Sequence, residues 1–166
     1  RGEENMLTYN ALRNGQTMVG QRATDLLAAA VWMRGNLAHD AKITLWGDGE
    51  LGVAALHAAA AGNDRSLDVV TFGTLFSYDD WACTRYYDVP VGLIVPGILE
   101  DYDLADVTSA INKNRNRAAV TWVNPRKADG GNLERDAAAP LARVFCLTRD
   151  SDWEKPLLLL HTTAAK

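Results

Sequence analysis

Residues 43–60 read ITLWGDGELGVAALHAAA. The first four are apolar or β-branched and suit a short buried strand. Gly47, Gly49 and Gly52 follow within six positions, and an alanine-rich segment of high helix propensity runs on to Ala60. A strand that turns directly into a helix needs residues that tolerate positive φ or let two backbones meet, and glycine does both. The stretch therefore predicts strand, tight turn and helix, the repeating unit of a parallel α/β fold.

Working outward, the other segments agree with that unit. Residues 5–12 alternate loosely and stop at the Asn14-Gly15 turn signal. From about Thr17 the positions Val19, Ala23, Leu26, Leu27, Ala30, Val31 and Met33 recur at helical spacing, and Gly35 or Asn36 closes the helix. The strand over 42–46 leads to a helix over 51–61, which stops at Gly62-Asn63. Residues 67–72, LDVVTF, form a second strand without alternation, as strands covered on both faces tend to be. The region 74–100 is irregular and holds Tyr78, Trp81, Tyr86 and Tyr87 in an excursion. Asp103 caps a short helix containing Leu104, Val107 and Ile111, with Asp106 also favouring its start. A third strand at 118–123 ends at the turn Asn124-Pro125. Weak helical pattern at 133–139 is interrupted by Pro140, residues 143–147 suit strand or helix, and 157–160 suit a short buried strand. The expectation is one α/β domain over residues 1–166, a mostly parallel sheet with helices on both faces.

The bulk properties narrow the function classes. A chain of 166 residues, 48% apolar and 23% charged, has an ordinary globular composition and can bury a sizeable core. A net charge of −4 argues against a general nucleic-acid binder. No apolar run approaches the roughly 18 residues of a membrane span. Cys83 and Cys146 form no metal-ligand spacing; two free, partly buried thiols are expected, with one disulfide as the alternative. No His, Cys or carboxylate set shows metal spacing, and no cofactor motif is present. The acidic clusters Asp79-Asp80 and Glu100-Asp101 with Asp103 read as solvated loops rather than a Ca²⁺ site. A start at Arg1-Gly2 without Met is read as processing, trimming or a fragment.

Several phrases, in order, resemble the α/β-hydrolase superfamily. They are GQTMVGQRATDLLAAAV from Gly15, the turn from Gly47 to Gly52, FSYDDW from Phe76, VPGILEDYDLADV from Val95 and VNPRKADGG from Val123. The chain is most similar to bacterial esterases of the acetylxylan-esterase type, over roughly residues 6–131. The resemblance implies the second half of a hydrolase sheet, with four strands and an oxyanion loop expected to come first. A companion chain, or an N-terminal segment of the same precursor, is then expected to complete the sheet beside the 42–46 strand, whose edge is otherwise unpaired. It also accords with a secreted or periplasmic setting, although the sequence itself fixes no compartment.

The resemblance further implies a nucleophile at the strand-to-helix turn. Aligning Gly47 with the first glycine of G-x-S-x-G puts Gly49 at the serine position and Leu51 on the second glycine. Aligning on Gly52 instead puts Glu50 there, behind Asp48. Neither frame supplies a hydroxyl or thiol, so no acyl-enzyme forms. At the acid position Lys127 stands where Asp is expected; Asp129, beside Gly130-Gly131, is the substitute or a plain turn former. His161, after the 157–160 run, stands near the expected base, while His57 and His39 read as structural.

Three readings follow. The first is a catalytically degenerate hydrolase-like domain, a pseudoenzyme with a structural or binding role in a larger protein or complex. The second is a carbohydrate or carboxyl esterase that takes its nucleophile from another segment and uses Asp129 and His161. The third is a glycan-binding module whose aromatics Tyr78, Trp81, Tyr86 and Tyr87 stack on a carbohydrate ligand. A homo-oligomer is compatible with each.

Overall fold

Two strands too apolar to face water organise the molecule. The computed structural model describes residues 2–37, 42–62, 67–115, 119–134, 137–138 and 143–147. Strand β2, Leu67–Phe72, and strand β3, Val120–Val123, are buried on both faces apart from half-exposed Phe72. They lie inside a parallel sheet ordered β1-β2-β3-β4, with β1 at Ile43–Asp48 and the short β4 at Val144–Phe145. The register sets Ile43 opposite Leu67 and Asp48 opposite Phe72, Val69 opposite Val120, and Trp122 opposite Val144. The expected α/β class with a mostly parallel sheet is what the structure shows. Residues 143–147, open to either reading, contain a strand.

Parallel neighbours require crossover connections, and helices supply those from β1 to β2 and from β2 to β3. Helix α1 is Gly2–Arg13, α2 is Met18–Asn36 and α3 is Glu50–Ala61. Short helices α4, Tyr78–Cys83, and α5, Ile98–Asp101, flank a 3-10 turn at Val91–Leu93, and α6 is Leu104–Arg115. Helix α3 packs on β1, β2, α2 and α6, which makes it the centre of the helical layer. Residues Gly52 to Leu56 span more than a full turn and are all buried, with Val53 and Leu56 fully enclosed. Trp122, Leu67, Leu104 and Ile111 complete the most enclosed part of the core. Thr17 starts α2 as expected, its hydroxyl accepting from the Gly20 N–H at 3.0 Å.

Three local expectations are corrected. Residues 5–12 belong to helix α1, because Thr8 and Ala11, three apart, face the core while Met6, Leu7 and Tyr9 face outward. The exposed apolar residues made the pattern look alternating. Strand β1 runs to Asp48 rather than Trp46, and it is not wholly buried. Ile43, Leu45 and Gly47 point inward, whereas Thr44, Trp46 and Asp48 are exposed. Such alternation is what an edge strand with one covered face shows. Cys83 and Cys146 are both free and exposed, not partly buried. The expected strand at 157–160 lies outside the described residues, as do parts of the 133–139 stretch. Among the described residues no helix is long and apolar enough to cross a membrane.

One side chain ties the irregular region to the helical layer. Asp103 accepts the Ser77 hydroxyl at 2.6 Å, the Tyr78 N–H at 2.8 Å and the Leu104 N–H at 2.7 Å. Ser77 in turn accepts the Asp80 N–H at 3.0 Å and caps α4. The Asp103 carboxylate thus serves the first turns of α4 and α6 together. Asp80 accepts the Ala128 N–H at 2.6 Å and fastens the loop after β3 to α4. Replacing Asp103 with Ala is expected to lower unfolding stability by about 2–3 kcal/mol, as the sum of two lost caps. Asp103→Asn, which keeps one acceptor oxygen, is expected to lose less than half as much. Urea denaturation of both variants is the check.

Candidate functional site

In open α/β sheets ligands bind outside the carboxyl ends of the strands. Here those ends are Asp48, Phe72, Val123 and Phe145, and the turn after β1 stands beside the first two. Gly49 caps α3 with φ 53° and ψ −117°, a conformation that strongly favours glycine. Its N–H donates to the Phe72 carbonyl at 2.8 Å, which pins the turn to the end of β2. The flanking glycines are needed for space rather than φ. A Cβ on Gly47 would stand 2.5 Å from the Gly52 backbone, and one on Gly52 would run into the Thr74 hydroxyl. At Gly49 itself a Cβ would meet nothing within 4 Å.

The turn borders a cleft of about 220 Å³. Glu50 and Asp88 stand on it with Arg126 and Lys127, over a floor that includes Gly73 and Leu75. Among the described residues lining it there is no Ser, Thr, Cys or His. Its volume falls below the roughly 300 Å³ at which small-molecule pockets begin. Glu50 is already engaged: its carboxylate takes the Arg22 guanidinium at 2.7 Å, and Arg22 also reaches Glu4 at 3.0 Å. This chain of charges joins α1, α2 and the start of α3, so Glu50 acts as a strut.

The other sequence candidates fall in separate places. Asp129 is exposed, and its carboxylate accepts the Gly131 N–H at 2.9 Å within a turn closed by the Lys127 N–H on the Gly131 carbonyl. Lys127 is exposed on the cleft wall. His161 and His39 lie outside the described residues. His57 is on α3, away from the turn, and lines a separate apolar groove of about 510 Å³ with Leu27, Tyr102 and Asp106. Its Nδ1 donates to the Val53 carbonyl at 2.9 Å, and its buried Nε2 has no hydrogen-bond partner among the described residues. Burial lowers the His57 pKa below its ordinary value, and the Val53 bond only partly opposes that.

The aromatic residues divide. Tyr78, Trp81 and Tyr87 line one groove of about 530 Å³ between α4 and α5. Tyr78 stacks on Trp81 with centroids 6.1 Å apart, and Trp81 meets Tyr87 edge to face at 5.7 Å. The Tyr78 hydroxyl donates to the Leu93 carbonyl at 3.0 Å; burial, with Tyr102 and Asp103 adding, raises its pKa far above the phenol range. Tyr86 stays outside the groove with the Arg85 guanidinium 5.2 Å over its ring. The sequence did not foresee the aliphatic half of the groove, from Ile94, Val95 and Ile98. Its signal was the apolar run around Pro96-Gly97, which reads equally well as loop packing.

No family model, curated protein or solved structure matches the chain.

The geometry gives two expectations. Gly47→Ala forces backbone apart and is expected to cost upwards of about 3 kcal/mol, while Gly49→Ala pays only for positive φ, about 1–2 kcal/mol. Thermal unfolding of the two variants tests that order. For His57, the unfolded ring takes up its proton at a higher pH than the folded one. Stability is therefore fully present above the unfolded value near 6.5, falls as pH drops below it, and levels off below the lowered folded pKa. His57→Leu is expected to flatten that slope in denaturant titrations between pH 7 and pH 5.

Proposed function

We propose that this chain is a catalytically silent α/β-hydrolase-like domain, acting as a structural or binding part of a larger assembly. The observation that carries the reading is Gly49. It holds the apex of a strand-to-helix turn, with the positive φ and open space that would present a side chain to the cleft. That apex has no side chain, and no described residue lining the cleft offers a nucleophile paired with a base. Architecture is retained where chemistry is missing.

A companion polypeptide segment is proposed to pair with β1. Exposed apolar side chains on β1 and on α2, the helix before it in sequence, support this. Val31, Trp32 and Leu37 on or just after α2 are 71%, 60% and 68% exposed, and Trp46 on β1 is 47% exposed. Strand β1 is the end strand of the described sheet, and no Lys or Pro interrupts it. Natural edge strands usually carry such interruptions to prevent pairing. Trp46 and its neighbours suit coverage by another segment.

A fluorophosphonate probe tests the silent site. The chain is expected to remain unlabelled, and labelling of any serine, Ser77 included, would overturn the reading. Gly49→Ser is expected to fold with a stability loss of about 1–2 kcal/mol and to show no ester hydrolysis, because Lys127 faces the cleft where an acid would be needed. Turnover of p-nitrophenyl acetate by that variant, above the serine-free protein, would contradict it.

A further inference from the structure

We propose that the groove between α4 and α5 binds an organic cation of the quaternary or methylated ammonium type. The argument begins with the walls. Trp81 and Tyr87 meet at 66° with centroids 5.7 Å apart, and so form a corner of two rings rather than a single flat platform. Behind them Tyr78 stacks on Trp81 at 28°. Tyr78 is itself immobilised by its hydroxyl on the Leu93 carbonyl and its N–H on Asp103. The corner is therefore held in place before any ligand arrives, which reduces the ordering cost of binding. Ile94, Val95 and Ile98 supply an aliphatic surface opposite.

Charge selects the class of ligand. Glu100 is the one charged side chain among the residues described as lining the groove. Between Thr74 and Tyr102 the chain carries Asp79, Asp80, Asp88, Glu100 and Asp101 against a single cation, Arg85. That arginine already lies 5.2 Å over the ring of Tyr86, a cation on an aromatic face in the same segment. Aromatic rings attract cations through the negative potential of their faces, and methylated ammonium groups also carry apolar surface that the aliphatic wall can cover.

A carbohydrate is a poorer match for the same walls. Its hydroxyls need hydrogen-bond partners when they leave water. Beyond the phenols and the Trp81 indole N–H, the lining provides only Thr84 and Glu100 as polar side chains. A purely apolar ligand would fill the groove but leave the carboxylate unused. The volume of about 530 Å³ is ample for a trimethylammonium group with a short chain.

The test compares choline with its uncharged isostere 3,3-dimethyl-1-butanol by isothermal titration calorimetry on the full chain. Choline is expected to bind saturably with a Kd of about 1 mM, and the neutral isostere at least about tenfold more weakly. Trp81→Ala is expected to abolish saturation and Glu100→Gln to weaken choline several-fold without affecting the isostere. Should Trp81→Ala fail to fold by circular dichroism, Tyr87→Ala at the exposed wall serves in its place. Equal binding of the two probes, or no saturable binding of choline, overturns the proposal. So does saturable binding of xylo-oligosaccharide with none of choline.

Discussion

The close approach of Gly47 to Gly52 is the constraint on which the rest of the molecule depends. Any side chain on Gly47 would occupy the space of the Gly52 backbone, so only glycine lets β1 turn into α3 this tightly. That turn lays the buried face of α3 against β1 and β2, and α2 and α6 then pack on α3. Burying side chains such as Val53 and Leu56 contributes about 1.5–3 kcal/mol each, so placement of α3 governs a large share of the core. Thr74 fills the space beside Gly52, which couples the same turn to the loop after β2.

Electrostatics reinforce the arrangement at two places. Arg22 holds Glu4 and Glu50, so the two N-terminal helices are fixed to the start of α3. Asp103 holds the first turns of α4 and α6, which brings the aromatic groove to a defined position beside the sheet. A partly buried, multiply bonded carboxylate such as Asp103 is worth more than an exposed ion pair, because each bond it accepts is charge-assisted. The half-exposed Arg22 pairs act mainly to orient α1.

The sequence was most legible where backbone chemistry and periodicity agreed. The 67–72 strand, the start of α2 at Thr17 and the role of Asp103 at the start of α6 follow from residues whose local preference matches the tertiary outcome. It was least legible where tertiary position overrides pattern. Helix α1 hid behind exposed Met6, Leu7 and Tyr9, and β1 took an alternating burial because it stands at an edge, which its own composition does not reveal. For the site, the glycine at the apex of the strand-to-helix turn could be read from Gly49 alone. The engagement of Glu50 by Arg22, 28 positions earlier, and the assembly of Tyr78, Trp81 and Tyr87 with residues 94–100 are long-range contacts that no local spacing encodes.

An edge that is open among the described residues, beside exposed Trp46, is costly unless something covers it, and the proposed companion segment is the central claim. Native mass spectrometry of the protein purified from its own source, under conditions that preserve complexes, tests it most directly. The account predicts that the 18.1 kDa chain appears with another polypeptide in fixed ratio, and that denaturation releases both. A stable, folded 18.1 kDa monomer alone would contradict it.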